Sequence, residues 1–473
     1  LILEGRQVYT NAEPFSLHAR VVGTPIPEAS ELVLATVDFF GVTNWLGRVK
    51  IPANTTDIDT QFTVPNSGAG YWYLTGLLRS RNHDLFQATR GLGSVIPLAP
   101  EDAMKNDKSI FGAWVGGNNT EIGAKWKRDY VWGNKMKIDE KGHITGHMPG
   151  VPAGLDSILH FTYIPQWLSS KPDDANFGKY PPRDWDAYGR YLEEVTKQTK
   201  ANGFTIYEMW NEPNPYAYWL GSEADVVKIA EVTYKAVKKI QPDAKVLGPC
   251  PYGFTFDFIE TFFKNGGTNW IDDVVLHTYT PIPADDYFLP GMRKLKELMT
   301  QYGLGDRSIY ITEMGYSTPA VSERDMASNL VRVYVYGLSE HVKLIIWHML
   351  QALDDKGDPG YALKLKNGMP RPAYVAYAAM TRVLEFADYQ GVAPGLTGGQ
   401  RGFDFVKRGA TIRVAWDKSV VRGAKTSYTL KTEGESLRII DLMGFESTLA
   451  PDGTGNCTVE LGTDPVYLIS TKH

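Results

Sequence analysis

Phe204-Thr205-Ile206-Tyr207-Glu208-Met209-Trp210 is a β-rich run, and Asn211-Glu212-Pro213-Asn214 breaks it with turn-forming residues. Further on, Ser222 offers a helix N-cap, with Asp225 in the partner place of a capping box. The helix so opened runs to about Ile240 and stops before Pro242, and Lys245–Gly248 reads as the next strand. Strand, loop, helix, strand is the unit from which parallel sheets are built.

The unit repeats on both sides. Upstream, Ser109–Trp114, Lys125–Tyr130 and Ser157–Tyr163 read as strands, and Trp185, Tyr188, Leu192 and Val195 fall at helical spacing. Downstream, a helix over Thr255–Phe263 precedes a strand over Asp273–Tyr279. A helix over Met292–Tyr302 stops at Gly303, and Ser308–Thr312 follows as a strand. Ser322 and Asp325 open a helix to about Glu340, Lys343–Trp347 is a strand, and Pro372 starts a last helix to about Phe386. That makes eight strands over roughly 280 residues, the size of a (β/α)8 barrel. A doubly wound sheet would also alternate, but it needs a glycine-rich phosphate turn after its first strand. Gly116-Gly117 is a poor match to one. The fold class expected is α/β, with a (β/α)8 TIM barrel over 106–390.

The flanks read differently. Phe15, Leu17, Ala19 and Val21 alternate with Ser16, His18 and Arg20, the period of a half-buried strand. Tyr71–Thr75 is a second β-rich run behind the turn residues Pro65-Asn66-Ser67-Gly68. No long helical pattern occurs before Pro100, so 1–105 is expected to be an all-β accessory domain. Thr411–Trp416, Leu437–Leu442 and Val466–Ile469 give 391–473 the same character. Both flanks are read as β-sandwich-type domains that support the barrel.

Composition sets limits. With 43% hydrophobic and 22% charged residues the 473-residue chain can pack cores and is not a disordered one. A net charge of −5 leaves no electrostatic footprint for nucleic acid, and no apolar run has the length of a membrane span. Cys250 and Cys457 lack metal or redox spacing, and buried free thiols are preferred over a long-range disulfide. Asn-x-Thr sequons at Asn54, Asn118 and Asn456 carry little weight. Starting at Leu1 without a Met or a leader-like segment, the chain reads as processed or trimmed.

Chemistry enters with carboxylates. Cleaving a glycosidic bond needs two of them across the scissile bond, one to protonate the leaving oxygen and one to attack or to activate water. The chain has 54 Asp and Glu, so placement decides. Active sites of (β/α)8 barrels gather at the C-terminal strand ends. Glu212 ends the fourth expected strand and Glu313, in Thr312-Glu313-Met314-Gly315, ends the seventh.

Trp210-Asn211-Glu212-Pro213 and Thr312-Glu313-Met314-Gly315 resemble the signatures of clan A retaining glycoside hydrolases. Tyr207–Asn214, with Tyr163-Ile164-Pro165-Gln166-Trp167 and His277-Thr278-Tyr279, is most similar to family 39. The resemblance covers the barrel. It implies that Glu212 is the acid/base and Glu313 the nucleophile, acting on an oligo- or polysaccharide without a cofactor or metal. It further implies that Asn211 bonds the sugar 2-hydroxyl and that Tyr279 donates to the nucleophile. Arg128 would lie beneath the nucleophile, and Trp347 would form a platform for the sugar. His277 reads as a wall residue or a sugar contact, and Tyr163, Trp167 and Trp114 as candidates for flanking subsites. Glu208, an even number of residues from Glu212, reads as a structural partner for a cation. A secreted, periplasmic or extracellular setting is expected, and the oligomeric state is left open.

Three alternatives stand beside this reading: a non-catalytic carbohydrate-binding barrel, a family 5-like endo-glucanase or mannanase, and a metal-dependent barrel hydrolase. The first would be favoured by loss of either Glu. The second shares Asn-Glu-Pro but typically lacks the trailing β-domain. The third needs His-x-His after the first strand, and His160, His277 and His348 have no such spacing, while His18 and His83 precede the barrel.

Overall fold

Eight parallel strands close into a barrel in the computed structural model, in unbroken sequence order. They are β1 (Phe111–Trp114), β2 (Trp126–Trp132), β3 (Asp156–Thr162), β4 (Ile206–Glu208), β5 (Lys245–Tyr252), β6 (Asp273–His277), β7 (Ile309–Met314) and β8 (Leu344–His348). Closure is made by β8 on β1, with Ile345 opposite Phe111 and His348 opposite Trp114. The structure describes residues 1–473 except 11–12, 27, 67, 82, 105–107, 115–118, 215–217, 355–359, 433 and 472–473. The Gly116-Gly117 turn and Asn118 therefore lie outside the described residues.

Strand parity sorts the barrel's side chains. Trp126, Ile158, Leu247, Val275, Tyr310, Leu344 and Ile346 form one buried cluster with Cys250, the packed floor of the barrel interior. Their neighbours Phe161, Tyr207, Leu276, Ile311, Ile345 and Trp347 belong to the larger shell shared with the helices.

Those helices are α1 (Trp185–Ala201), α2 (Glu223–Ile240), α3 (Phe256–Lys264), α4 (Ala284–Gln301), α5 (Glu323–Ser339) and α6 (Pro372–Leu384). Helix α1 buries Tyr188, Leu192 and Val195, as their spacing predicts. The capping box of α2 is complete: Ser222 Oγ accepts from Asp225 N at 3.2 Å and Asp225 Oδ2 accepts from Ser222 N at 2.8 Å. Helix α4 departs from expectation, starting at Ala284 rather than Met292 and running through Pro290. An interior proline removes one backbone hydrogen bond. Tertiary partners compensate: Asn329 Oδ1 accepts from Ala284 N at 2.9 Å, and the buried Asp285 is held from three sides.

The flanking parts are strand-rich on both sides. Before the barrel, a three-stranded sheet (Ile2–Gly5, Phe15–Ile26, Thr55–Val64) faces a five-stranded one that includes Ser30–Asp38 and Gly70–Ser80. Phe15, Leu17, Ala19 and Val21 all point into their shared core. After the barrel, six strands form one sheet and Thr426–Lys431 pairs with Asn456–Leu461 over it. Asp285 ties this last part to the helices: its Oδ1 accepts from Trp416 Nε1 at 2.9 Å and Tyr336 OH at 2.8 Å, and its Oδ2 from Arg332 at 2.8 Å. Tyr71 reaches from the first part to the barrel, donating to the Pro370 carbonyl at 3.2 Å.

Candidate active site

Arg128 points inward from the middle of β2 and is buried. Its Nε donates to Glu208 Oε2 at 3.0 Å, its Nη1 to Glu313 Oε1, and its Nη2 to Glu208 and to Asn211 Oδ1, the last at 2.9 Å. A guanidinium fork presents donors in several fixed directions, so one side chain links the ends of β4 and β7. Glu208 thus neutralises a cation, as its parity suggests. Because Asn211 Oδ1 accepts from Arg128, its amide NH2 remains available as a donor.

Glu313 receives a second hydrogen bond, from Tyr279 OH to Oε2 at 2.7 Å. Burial would raise this carboxyl, but His277, Arg128 and the Tyr279 hydrogen bond outweigh it and hold it down at about 2. Burial and the adjacent Glu313 charge push the Tyr279 phenol well above its ordinary value, so it stays a neutral donor. Glu212 sits across from Glu313. Its Oε1 is 2.7 Å from His277 Nδ1, and its backbone N donates to the Cys250 carbonyl at 3.0 Å. Its backbone is in the left-handed region, with φ of 46°, an unusual state for a non-glycine residue that concentrates at functional sites.

His277 lies between the two acids, with Nδ1 3.7 Å from Glu313 Oε2 and Nε2 3.4 Å from Cys250 Sγ. Burial alone would depress this imidazole, but Cys250 and Glu313 hold it well above its ordinary value. One ligand atom each from Glu212, His277 and Glu313 lies within 4.8 Å of the others. Glu208, Cys250 and His277 form a second such group. Either has donors suited to a divalent cation, but Arg128 already supplies a positive charge to Glu208 and Glu313.

Aromatic rings line the walls. Trp114 stacks on His348 with ring centroids 4.5 Å apart, and Tyr279 meets Tyr361 edge-on at 5.4 Å. Tyr163 packs against Tyr218 and Trp132 at 6.0 and 6.4 Å. Burial first, and then the nearby Glu212, push Tyr218 up to about 12, which sets this cluster beside the acid pair.

One expected sugar contact is corrected. Trp347 is fully buried on the outer side of β8, donating to the Tyr361 carbonyl at 3.0 Å and packing near Tyr316. It supports a wall residue and is not a sugar platform. The parity that turns Leu344 and Ile346 inward turns His348 inward too, and burial depresses that imidazole. Trp167 is half-buried and packs edge-on against Tyr191 of α1 at 6.3 Å. The sequence reading missed Tyr218, Trp132, Tyr361, Cys250 and the inward place of His348. Only the last was signalled, by carrying strand alternation one residue further. Cys250 and Cys457 are both buried and unpaired.

An arginine-braced carboxylate facing a second carboxylate at the C-terminal mouth of a (β/α)8 barrel is an arrangement like that of clan A glycoside hydrolases. Comparison narrows it. No protein-family profile matches the chain. Two curated β-xylosidases are similar in sequence. That of Geobacillus stearothermophilus is 22% identical over 258 residues, 46% of this chain and 51% of that protein. That of Caldicellulosiruptor saccharolyticus is 22% identical over 285 residues, 50% of this chain and 56% of that protein. The chain thus spans about half the length of the curated relatives it matches. In fold it is similar to a family 39 glycoside hydrolase from Bacteroides cellulosilyticus WH2, with a TM-score of 0.72 and 19% identity over 99% of this chain and all of that one. A family 39 β-xylosidase from Caulobacter crescentus gives a TM-score of 0.54 and 15% identity, over 78% of this chain and 97% of that one. The family 39 resemblance therefore holds for the fold, and in the first of these structures it extends through both flanking parts.

Proposed function

We propose that the chain is a retaining β-glycosidase, with Glu313 as nucleophile and Glu212 as acid/base. The observation that carries this is the spacing of the acids, a Glu212 and a Glu313 oxygen within 4.8 Å of each other. Retaining enzymes hold their carboxyl groups about 5–5.5 Å apart and inverting ones about 6.5–9.5 Å, and oxygens that approach this closely favour the shorter arrangement. Attack then comes from Glu313, ionised and aimed by Arg128 and Tyr279. Glu212 gives its proton to the leaving oxygen, then takes one from the water that cleaves the glycosyl ester. Loss of the Glu313 charge on esterification favours that switch. The free amide NH2 of Asn211 is suited to bond a sugar hydroxyl as charge develops. An intact, braced acid pair argues against a non-catalytic binding barrel.

β-Xylosides are the first substrates to try, since the curated relatives are β-xylosidases. Proton NMR during early hydrolysis should show the β-anomer first. If the α-anomer forms first, the enzyme inverts and the proposed mechanism is excluded.

A further inference from the structure

Beyond the acid pair, the loops after β5 and β6 and the start of α4 line an open cavity of about 390 Å³. Its lining includes Phe254, Tyr279, Pro281, Asp286, Tyr287 and Lys294. That volume lies within the range of small-ligand sites, about 300–1,000 Å³. Tyr279 is shared, for the residue that donates to Glu313 also forms one wall of the cavity.

Three further observations bear on its use. First, the β5 loop is clamped to the Glu212 loop: Asn214 Nδ2 donates to the Tyr252 carbonyl at 3.1 Å and Tyr252 N donates to Asn214 Oδ1 at 2.9 Å. That clamp ties the loop carrying Phe254, one wall of the cavity, to the loop carrying Glu212. Second, aromatic rings pair around it. Tyr252 stacks on Tyr279 at 5.6 Å and Phe254 on Phe256 at 5.8 Å, while Tyr252 and Tyr287 remain 48% and 47% exposed. Third, a polar pair marks the rim, with Lys294 over Phe256 and Asp286 bonded by Lys418 from the C-terminal part. The fit of Phe254 is specific, since a Cβ at Gly291 would come within 2.4 Å of its ring.

We propose that this cavity binds a sugar ring of the leaving group, so that the chain favours oligosaccharides over small aglycones. A pyranose has flat C–H faces for the aromatic walls and a rim of hydroxyls for Asp286 and Lys294. The inference rests on the glycosidase reading and names the part of the substrate that this reading leaves open.

The test compares xylotriose with 4-nitrophenyl β-xyloside, using the full chain and its Tyr287→Ala and Tyr287→Phe variants. Losing one stacking ring should lower the ratio of kcat/KM for xylotriose to that for the aryl xyloside by roughly five- to tenfold, mainly through KM. Tyr287→Phe should restore the ratio. Titration of xylotriose into Glu313→Gln protein, with and without Tyr287→Ala, should show the same weakening without turnover. Because Tyr287 is exposed, its loss should not impair folding, which a melting curve verifies. An unchanged ratio and an unchanged titration would overturn the subsite while leaving the hydrolase reading intact. Failure of xylotriose to bind the Glu313→Gln protein while the unaltered chain still cleaves the aryl xyloside would also overturn the subsite, whereas cleavage of no aryl β-glycoside would overturn the glycosidase reading.

Discussion

Replacing Arg128 by Met is the sharpest test of how this site is held together. Arg128 is buried and bonded to two buried carboxylates, Glu208 and Glu313. Removing one partner of a buried ion pair typically costs about 3–5 kcal/mol, because it strands charge in a poorly solvating interior. In a domain of this size each kcal/mol shifts the melting temperature by about 2–4 °C, so a loss of roughly 6–20 °C is expected. The pH dependence gives a second check. In the native protein the Glu313 carboxyl lies at about 2, below the ordinary glutamate value. Its ionisation therefore stabilises the fold fully above that ordinary value, and the contribution disappears as pH falls through about 2. Without Arg128 the facing carboxylates lack their cation, and acid relieves the strain by protonating them. The deficit should be largest near pH 7 and smaller at about pH 5. Adding Glu208→Gln should recover part of it. Scanning calorimetry of the single and double variants at both pH values measures all three effects. A melting loss below about 2 °C, or one equal at both pH values, would refute the reasoning.

Other outcomes follow from the same geometry. Glu313→Gln should abolish turnover on every glycoside, and a near-native rate in an aryl glycoside assay would remove it as nucleophile. Glu212→Ala should slow substrates with poor leaving groups far more than activated aryl glycosides, and added azide should yield a β-glycosyl azide detectable by mass spectrometry. Tyr279→Phe removes a hydrogen bond to a charged group, about 1.5–3 kcal/mol, and should raise the Glu313 carboxyl by about 1–2 pKa units. The acidic limb of kcat/KM should move upward in pH, and an unmoved limb would mean that the phenol does not hold the nucleophile ionised. Asp285→Ala strands three buried donors at about 1–3 kcal/mol each. It should lower the melting temperature and expose the C-terminal strands to limited proteolysis.

Much of this was legible in the sequence because it rests on local rules. Ser222 and Asp225 announced a helix start, and Phe15 to Val21 announced one buried strand face. That Glu212 and Glu313 would meet was legible because one lies just beyond β4 and the other at the end of β7, at the same mouth of the barrel. What stayed hidden depends on non-local contact. Helix α4 begins early because Asn329 and Asp285 hold it, not through any cap of its own. The wall aromatics Tyr218 and Tyr361 sit on loops whose course no periodicity fixes. Trp347 was misassigned because a tryptophan at a strand end fits either face. Only the inward run of Leu344, Ile346 and His348 settles it.

The bracing of Arg128 also bears on how such a chain could change over generations. One guanidinium links Glu208, Asn211 and Glu313, so none of the three can drift independently. A descendant that lost Glu313 alone would leave a buried cation partly unmatched, and selection for stability would disfavour it even where no activity was required. A barrel of this lineage recruited to bind sugars without cleaving them should therefore have replaced Arg128 and Glu208 along with Glu313, leaving a three-residue scar by which its loss of catalysis could be read.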